Sequence, residues 1–296
     1  MINEKENKIY SLLCSLGICS PGSVEEFYPR VRDRDDIKVM RCQRSGVIFL
    51  STTQHFHETY YIHQSGLSYW SASTREQALL ASSEDDQRRA AQFGTFIKNK
   101  KWLDFGTGVG GILDLLSPQA KMTYAVEPQN EIRELLVKEG YRVFKDIDAV
   151  QETDFEIVTL FHVYEHLVEP IEMLKTIWQK MVPGGKLIIE VPHAKDFLID
   201  FLAVEAFKKF TFWSEHLILH TRQSLDCFLS FSGFKVIHIQ AFQRYPLANH
   251  LYWLSTGQPG GHQHWHFLQT EELDFAYANM LARLDKTDTL IALAQK

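Results

Sequence analysis

The chain of 296 residues has little of what marks several large classes of protein. Its four cysteines are too few for a disulfide scaffold. No apolar run reaches the roughly 18–20 residues that a membrane-spanning helix needs. Acidic residues outnumber basic ones by 37 to 31, without a strong Lys/Arg cluster, which argues against nucleic acid as the main partner. What is left is a globular protein of one large domain or two smaller ones.

The cysteines also lack the spacing of a metal site. They stand at positions 14, 19, 42 and 227. A zinc pair needs a second thiol three residues after Cys42, and Ser45 occupies that position. We therefore expect no resident metal. Acidic and basic residues balance in the first eight positions, so we expect no signal peptide and a cytoplasmic location.

From Lys101 onward, short apolar strands alternate with amphipathic helices. Strands are predicted over 101–105, 122–126, 141–144, 155–161, 186–191 and 234–239, with helices between them. This alternation predicts βαβ units and a parallel sheet that is covered on both faces. We divide the chain into an N-terminal cap or substrate segment (1–95) and a main domain (96–296). The main domain carries an insertion at about 192–220 and a C-terminal helix over 270–296.

Two segments of the predicted cap have alternative interpretations. Histidine and aromatic residues crowd 55–70, where a packed cover over a pocket is favoured over a metal site because the histidines have no regular ligand spacing. Ser73-Thr-Arg-Glu76 has the form of a capping box and predicts a helix that runs to about Lys98. The charged run 84–89 on that helix is interpreted as a solvated face.

A polar, aromatic stretch follows the last predicted strand. It comprises 243–250 and 257–264, and it includes Arg244. Such a stretch suits a lid over a hydroxyl-rich ligand, since aromatic rings stack on sugar faces and arginine pairs with phosphate or carboxylate. An exposed loop at the sheet edge explains it equally well, and both interpretations stay open.

A glycine turn connects the first strand of the main domain to a helix. Gly106, Gly108 and Gly111 match the spacing of the dinucleotide fingerprint, and Glu127 follows Gly106 by 21 residues at the end of the next strand. Glycine lets the backbone approach a ligand closely, and a carboxylate at that strand end accepts hydrogen bonds from ribose hydroxyls. The pattern predicts a nucleoside cofactor across these strand ends.

The ordered motifs are more specific than the glycine turn alone. Asp104-Phe-Gly-Thr-Gly-Val-Gly110, the segment 155–167 with His162-Val-Tyr-Glu-His166, the turn 181–187 and the later segment 210–234 follow one another. This set resembles the class I S-adenosylmethionine-dependent methyltransferases over about residues 70–261. The resemblance implies a Rossmann-like, seven-stranded, mostly parallel sheet with an antiparallel edge strand, and S-adenosyl-L-methionine as the cofactor.

The resemblance also assigns roles to single positions. The glycines would let the backbone reach the methionine half of the cofactor, Asp104 would orient that loop, and Glu127 would hold the ribose. Asp146 would flank the adenine, and two residues after the fourth strand would line the methionine side. The implied cofactor-binding residues are Asp104, Gly106, Gly108, Gly110, Glu127, Asp146, Phe161 and His162.

The later half resembles the nucleotide-sugar C-methyltransferases, which place a Glu-His pair after the fifth strand. Glu215-His216 matches that pair. Because an oxygen or carbon acceptor needs a base, we expect His216, Glu215 and His166 to be catalytic. Further candidates in the same segments are Glu165, His193 and His220.

The acceptor is the open part of this interpretation. A nucleotide sugar or glycan unit is expected, but the N-terminal zinc module of that subgroup is reduced here to Cys42 and Gly46. Alternatives are a quinone or phenol acceptor, a non-catalytic module that binds S-adenosylmethionine, and an NAD-linked oxidoreductase. A homodimer is left open. His162-Val-Tyr-Glu-His166 also spells a zinc-hydrolase signature, but that signature needs a helix, and a strand is predicted up to its first histidine.

Overall fold

The structure is a computed structural model that describes residues 7–56 and 66–296. Within these two ranges, no helix is long and apolar enough to cross a membrane. Of the histidine and aromatic residues that the sequence analysis grouped at 55–70, His57, Tyr60, Tyr61 and His63 lie outside the described residues.

Eleven strands and ten helices are numbered here along the described chain. The strands are β1 (Val24–Tyr28), β2 (Val39–Cys42), β3 (Ile48–Leu50), β4 (Lys101–Phe105), β5 (Met122–Val126), β6 (Val143–Phe144), β7 (Phe155–Phe161), β8 (Met181–Pro192), β9 (Ile218–Leu219), β10 (Lys235–Phe242) and β11 (Thr289–Gln295). The helices are α1 (Lys8–Ser15), α2 (Arg75–Ile97), α3 (Gly111–Leu116), α4 (Asn130–Lys138), α5 (Pro170–Lys180), α6 (Glu205–Thr211), α7 (Arg222–Phe231), α8 (Leu247–Thr256), α9 (Gly261–His264) and α10 (Glu271–Arg283).

The main sheet has seven strands in the order β10–β11–β8–β7–β4–β5–β6. Strands β4 to β8 pair in parallel, and β11 is antiparallel to both of its neighbours, β8 and β10. Leu103 of β4 and Val158 of β7 are fully buried, as expected for strands that are covered on both faces. The predicted fold class is confirmed, with its antiparallel pairing towards one edge.

A second, antiparallel sheet joins the N-terminal segment to the insertion. Its order is β1–β2–β3–β9, so three strands of the predicted cap share a sheet with residues 218–219, which pair with β3. Across this junction, Leu50 N–H donates to the carbonyl of Leu217 (3.1 Å), and Asp33 accepts from the backbone N–H of Ser214 (3.0 Å). The buried side chains of this sheet belong to the same apolar cluster as the main sheet. The N-terminal segment is therefore packed onto the main domain.

The C-terminal prediction is wrong over its last part. The helix α10 ends at Arg283, and the chain then forms β11, the buried strand between β8 and β10. A short apolar run such as Leu290–Ala294 fits a buried strand as well as a helix, and periodicity alone does not separate them. The run forms a strand because it pairs with β8, which lies about 100 residues earlier in the chain.

Two smaller expectations also change. The polar stretch after β10 contains the ten-residue helix α8, so it is not a continuous loop. The helix α2 is confirmed, but its N-cap is Thr74 rather than Ser73, because the Thr74 side chain accepts a hydrogen bond from the backbone N–H of Gln77.

Candidate functional site

Three glycines leave the loop between β4 and α3 without side chains at positions 106, 108 and 110. Gly106, Gly108 and Gly110 have φ angles of +78°, +55° and +80°, which glycine adopts without strain. A Cβ atom on Gly106 would lie 2.4 Å from Cγ2 of Val163, and one on Gly108 would lie 3.1 Å from Cζ2 of Trp70. A side chain at either position would therefore collide with Val163 or crowd Trp70, which pack directly against the loop.

Glu127 lies at the end of β5, directly beside this loop. Its carboxylate is 3% exposed and accepts hydrogen bonds from the backbone N–H groups of Gly108 and Gln129, both at 2.9 Å. Burial, which these donors offset only in part, raises the pKa of Glu127 to about 7. Both carboxylate oxygens keep further lone pairs, and Oε1 of Gln129 is buried without a hydrogen-bond partner among the described residues. These acceptors fit the hydroxyls of a ribose.

Asp104 lies in β4, and Asp146 follows β6, on the other side of β5. Oδ1 of Asp104 accepts a hydrogen bond from Oγ1 of Thr159 (2.6 Å), which in turn accepts one from Nε1 of Trp102 (2.8 Å). Burial raises the pKa of Asp104 to about 6. Asp146 follows β6 and accepts from the backbone N–H of Ala149 (2.8 Å). Asp104 thus ties β4 to β7, and Asp146 fixes the turn next to Glu127.

The end of β7 separates two predicted site residues. Phe161 points into the core, where its ring stacks on Phe93 of α2 at 5.4 Å. His162 has a left-handed backbone (φ +55°), and its two ring nitrogens each lie 3.2 Å from a carboxylate, Nδ1 from Glu165 and Nε2 from Glu190. Burial and a neighbouring arginine lower the pKa of His162, but the two carboxylates outweigh them and raise it.

Glu165, His166 and His216 form a cluster beyond His162, here called the His2Glu cluster. The first two belong to the turn after β7, and His216 lies between α6 and β9. One donor atom of each side chain lies within 4.8 Å of the other two, and the imidazole centroids are 5.0 Å apart. The ring of Trp213 flanks both imidazoles.

The protonation states in this cluster follow from burial and charge. Burial opposes the ionisation of Glu165, but the hydrogen bond from His162 and the nearby imidazoles lower its pKa to about 2. Burial and the adjacent His166 lower the pKa of His216 to about 3. At pH 7 the cluster therefore contains a carboxylate and, at His216, a neutral imidazole.

A buried ion-pair network lies behind His162 and corrects the interpretation of α2. Glu190 of β8 is fully buried and accepts two hydrogen bonds each from Arg88 (2.9 and 2.8 Å) and Arg89 (3.1 and 2.8 Å). Asp85 of the same helix pairs with Arg244, which follows β10. The charged run of α2 therefore packs against the sheet and is not a solvated face.

Comparison with known proteins agrees with this geometry. A family model described as a methyltransferase domain matches residues 74–239, more than half of the chain. The chain belongs to this methyltransferase family. No curated protein matches the sequence.

Solved structures share the fold of this methyltransferase at low sequence identity. A S-adenosylmethionine-dependent methyltransferase from Archaeoglobus fulgidus has a TM-score of 0.50 and 16% identity, and the match covers 78% of this chain and 97% of that one. A complex of the Haloferax volcanii Trm112 methyltransferase activator with a candidate methyltransferase gives a TM-score of 0.53 and 12% identity. That match covers 78% of this chain and 95% of the other.

The predicted site residues of the methyltransferase divide into three groups. The loop glycines, Glu127, Asp104 and Asp146 lie together at the carboxyl ends of β4 to β6. His162, His166 and His216 gather after β7. Phe161 lies in the core behind them, and Glu215 is buried beside His216. The carboxylate of the His2Glu cluster comes from Glu165, however, and not from Glu215.

Two features escaped the sequence analysis. The zinc-like pattern drew attention to His162 and His166, but the structure places the second histidine with His216, 50 residues along the chain. The ion pairs of Arg88 and Arg89 with Glu190 join residues about 100 positions apart. The signal in the sequence was Glu190, a carboxylate within the apolar run from Leu187 to Val191.

Proposed function

We propose that this methyltransferase transfers a methyl group from S-adenosylmethionine to a small-molecule acceptor. The observation that carries the proposal is the placement of two sites side by side. The glycine loop with Glu127 can bind a nucleoside, and the His2Glu cluster begins two residues after Val163, the residue that faces Gly106. A cofactor in the first site thus presents its reactive end to the second.

The cofactor assignment rests on named groups. The backbone of Gly106, Gly108 and Gly110 would hold the methionine half, and Glu127 would accept hydrogen bonds from the ribose hydroxyls. Asp146, at the next strand end, would flank the adenine. Bound S-adenosylmethionine supplies an activated methyl group on a positively charged sulfur, so the protein mainly has to align the acceptor and exclude water.

We assign the proton chemistry to the His2Glu cluster. His216 is half-buried and unprotonated at pH 7, so its ring nitrogen is available to accept a proton from an acceptor hydroxyl, and the nearby carboxylate of Glu165 favours its protonated form. Glu165 then stabilises the charge that develops on the imidazoles. Glu215, which the sequence analysis paired with His216, is buried next to it in the chain and would hold that segment in place.

The acceptor that we favour is a nucleotide sugar or glycan unit. Trp213 stacks with Tyr69 at 5.9 Å and carries the guanidinium of Arg32 at 4.5 Å from its ring centroid. Arg32 is exposed, and its Nη1 donates to the backbone carbonyl of Phe210 (3.2 Å), which leaves its positive charge without a carboxylate partner among the described residues. An aromatic face beside an available cation suits an acceptor with a sugar ring and a phosphate or carboxylate. A phenol or quinone is the second candidate, because it would stack equally well on Trp213.

Product formation tests this proposal. The full chain is incubated with S-adenosylmethionine and a panel of nucleotide sugars, glycans and phenols, and S-adenosylhomocysteine is measured. We expect one class to give product, with a loss of about 10²–10³-fold in His216→Ala. His264→Ala, an exposed histidine outside the site, is the matched control. Normal turnover in His216→Ala contradicts the base assignment. If the cofactor binds but no acceptor reacts, a non-catalytic binding module is favoured.

A further inference from the structure

The His2Glu cluster has the donor set of a metal site. Two imidazole nitrogens and one carboxylate oxygen bind zinc and iron in many proteins, with positions left open for water or substrate. Here Glu165, His166 and His216 present one such atom each, all within 4.8 Å of one another.

The three ligand atoms are farther apart than they would be around a bound ion. With bonds of about 2.1 Å, the ligand atoms of a tetrahedral site lie roughly 3.4 Å apart. The distance between any two of these atoms would therefore shorten by about 1.4 Å or less when an ion binds. His216 lies on the irregular segment between α6 and β9, where a ring rotation does not disturb a helix or strand.

A second observation points to a cation at this place. Glu165 is fully buried, and its Oε1 accepts a hydrogen bond from Nδ1 of His162 (3.2 Å). Its Oε2 is buried without a hydrogen-bond partner among the described residues. A buried carboxylate oxygen without a partner costs free energy, and a bound cation removes that cost. His162 acts as the outer support that orients the carboxylate.

We propose that Glu165, His166 and His216 bind a divalent cation of the zinc and iron class, which holds a hydroxyl oxygen of the acceptor. This inference rests on the proposed function and narrows the acceptor to one that reacts through oxygen. The cation lowers the pKa of the hydroxyl, whose proton passes to solvent. The oxygen lone pair then forms the new O–CH₃ bond, and the pair of the broken C–S bond stays on sulfur. The proposal keeps the cofactor and the acceptor class of the proposed function but replaces its base: a His216 nitrogen that donates its lone pair to the cation does not accept the proton.

Zinc binding by purified full-length protein without a polyhistidine tag tests the proposal. The protein is freed of metal with a chelator, dialysed, and titrated with Zn²⁺, and bound metal is measured by mass spectrometry. His264→Ala/His266→Ala serves as the parent, because these exposed histidines could bind zinc themselves. Glu165→Gln, His166→Ala and His216→Ala are then added singly to that parent. Glu165→Gln keeps the shape of the side chain, and circular dichroism checks the fold of each variant.

We expect one Zn²⁺ per chain in the parent and an affinity that is weaker by roughly tenfold or more in each cluster variant. Equal affinity in the parent and in folded Glu165→Gln, or no binding in the parent, overturns the proposal. S-adenosylmethionine binding is measured on the same samples. If the parent binds S-adenosylmethionine and transfers methyl groups while free of metal, the proposed function stands and the metal site is wrong. If the parent binds Zn²⁺ but not S-adenosylmethionine, the proposed function fails on its own.

Discussion

Two sides of the site are built in different ways. The cofactor side, residues 101–147, is assembled from neighbours in sequence: Glu127 holds Gly108 across 19 residues. The acceptor side consists of the antiparallel sheet β1–β2–β3–β9, the His2Glu cluster and the ion pairs of α2. Its contacts span long distances, 181 residues from Asp33 to Ser214 and 102 from Arg88 to Glu190. A local motif thus describes the first side, whereas only the folded chain assembles the second.

The largest expected effect comes from a substitution on the cofactor side, which should abolish binding of the cofactor. Gly106→Arg adds a side chain where a Cβ atom would already lie 2.4 Å from Val163, at a φ of +78°. We expect no measurable binding of S-adenosylmethionine by calorimetry. Gly140→Arg is the matched control, because its φ is +91° but nothing lies within 4 Å of a Cβ there. Both variants carry similar backbone strain of about 1–2 kcal/mol, so equal affinities in the two would contradict the role of the loop.

The next largest effect comes from a substitution on the acceptor side, which should lower the stability of the fold. Glu190→Gln leaves the guanidinium groups of Arg88 and Arg89 without their buried carboxylate. Removing one partner of a buried ion pair costs about 3–5 kcal/mol, which corresponds to a fall in Tm of roughly 5–8 °C. Thermal unfolding checks this. A shift of less than about 2 °C would show that the network contributes little to stability.

A pH series sharpens the description of Glu127. Its pKa is raised from 4.5 to about 7 by burial, so the folded chain retains this proton at a pH where the unfolded chain has lost it. The stabilising contribution is complete below pH 4.5 and is lost as the pH rises through about 7, with a total of about 3 kcal/mol. In urea unfolding between pH 4.5 and 8, the free energy of unfolding of the wild type should fall by that amount relative to that of Glu127→Gln. Parallel curves would contradict the raised pKa.

The smallest expected effect concerns the contact between α1 and Glu169, the residue before α5. Lys8 and Glu169 form an ion pair at 2.5 Å, but both side chains are more than half exposed. Glu169→Gln should therefore change the free energy of unfolding by less than about 1 kcal/mol. It makes the same chemical change as Glu190→Gln, so the two variants compare an exposed pair with a buried one. A similar loss of unfolding free energy in both variants would mean that burial does not determine how much an ion pair stabilises this chain.

The same division decides what the sequence could predict. The strands β4, β5 and β7, the glycine loop and Glu127 follow from hydrophobic runs and turn chemistry within short windows. The run of β11 fits a helix or a strand until its neighbours β8 and β10 are known. The charges of α2 form an ordinary solvated pattern until Glu190 comes into contact with them. The sequence pairs His216 with the adjacent Glu215, because nothing in the sequence shows that the turn after β7 brings the carboxylate of Glu165 to His216.

The most direct test of the central claim is a thermal-shift titration with S-adenosylmethionine, S-adenosylhomocysteine and NAD in parallel. A ligand at 100 times its Kd should stabilise the folded chain by about 2.7 kcal/mol, a rise in Tm of several degrees. We expect both sulfur nucleosides to raise the Tm and NAD to leave it unchanged. A rise with NAD alone, or no rise with any of the three, would contradict the assignment of the cofactor site.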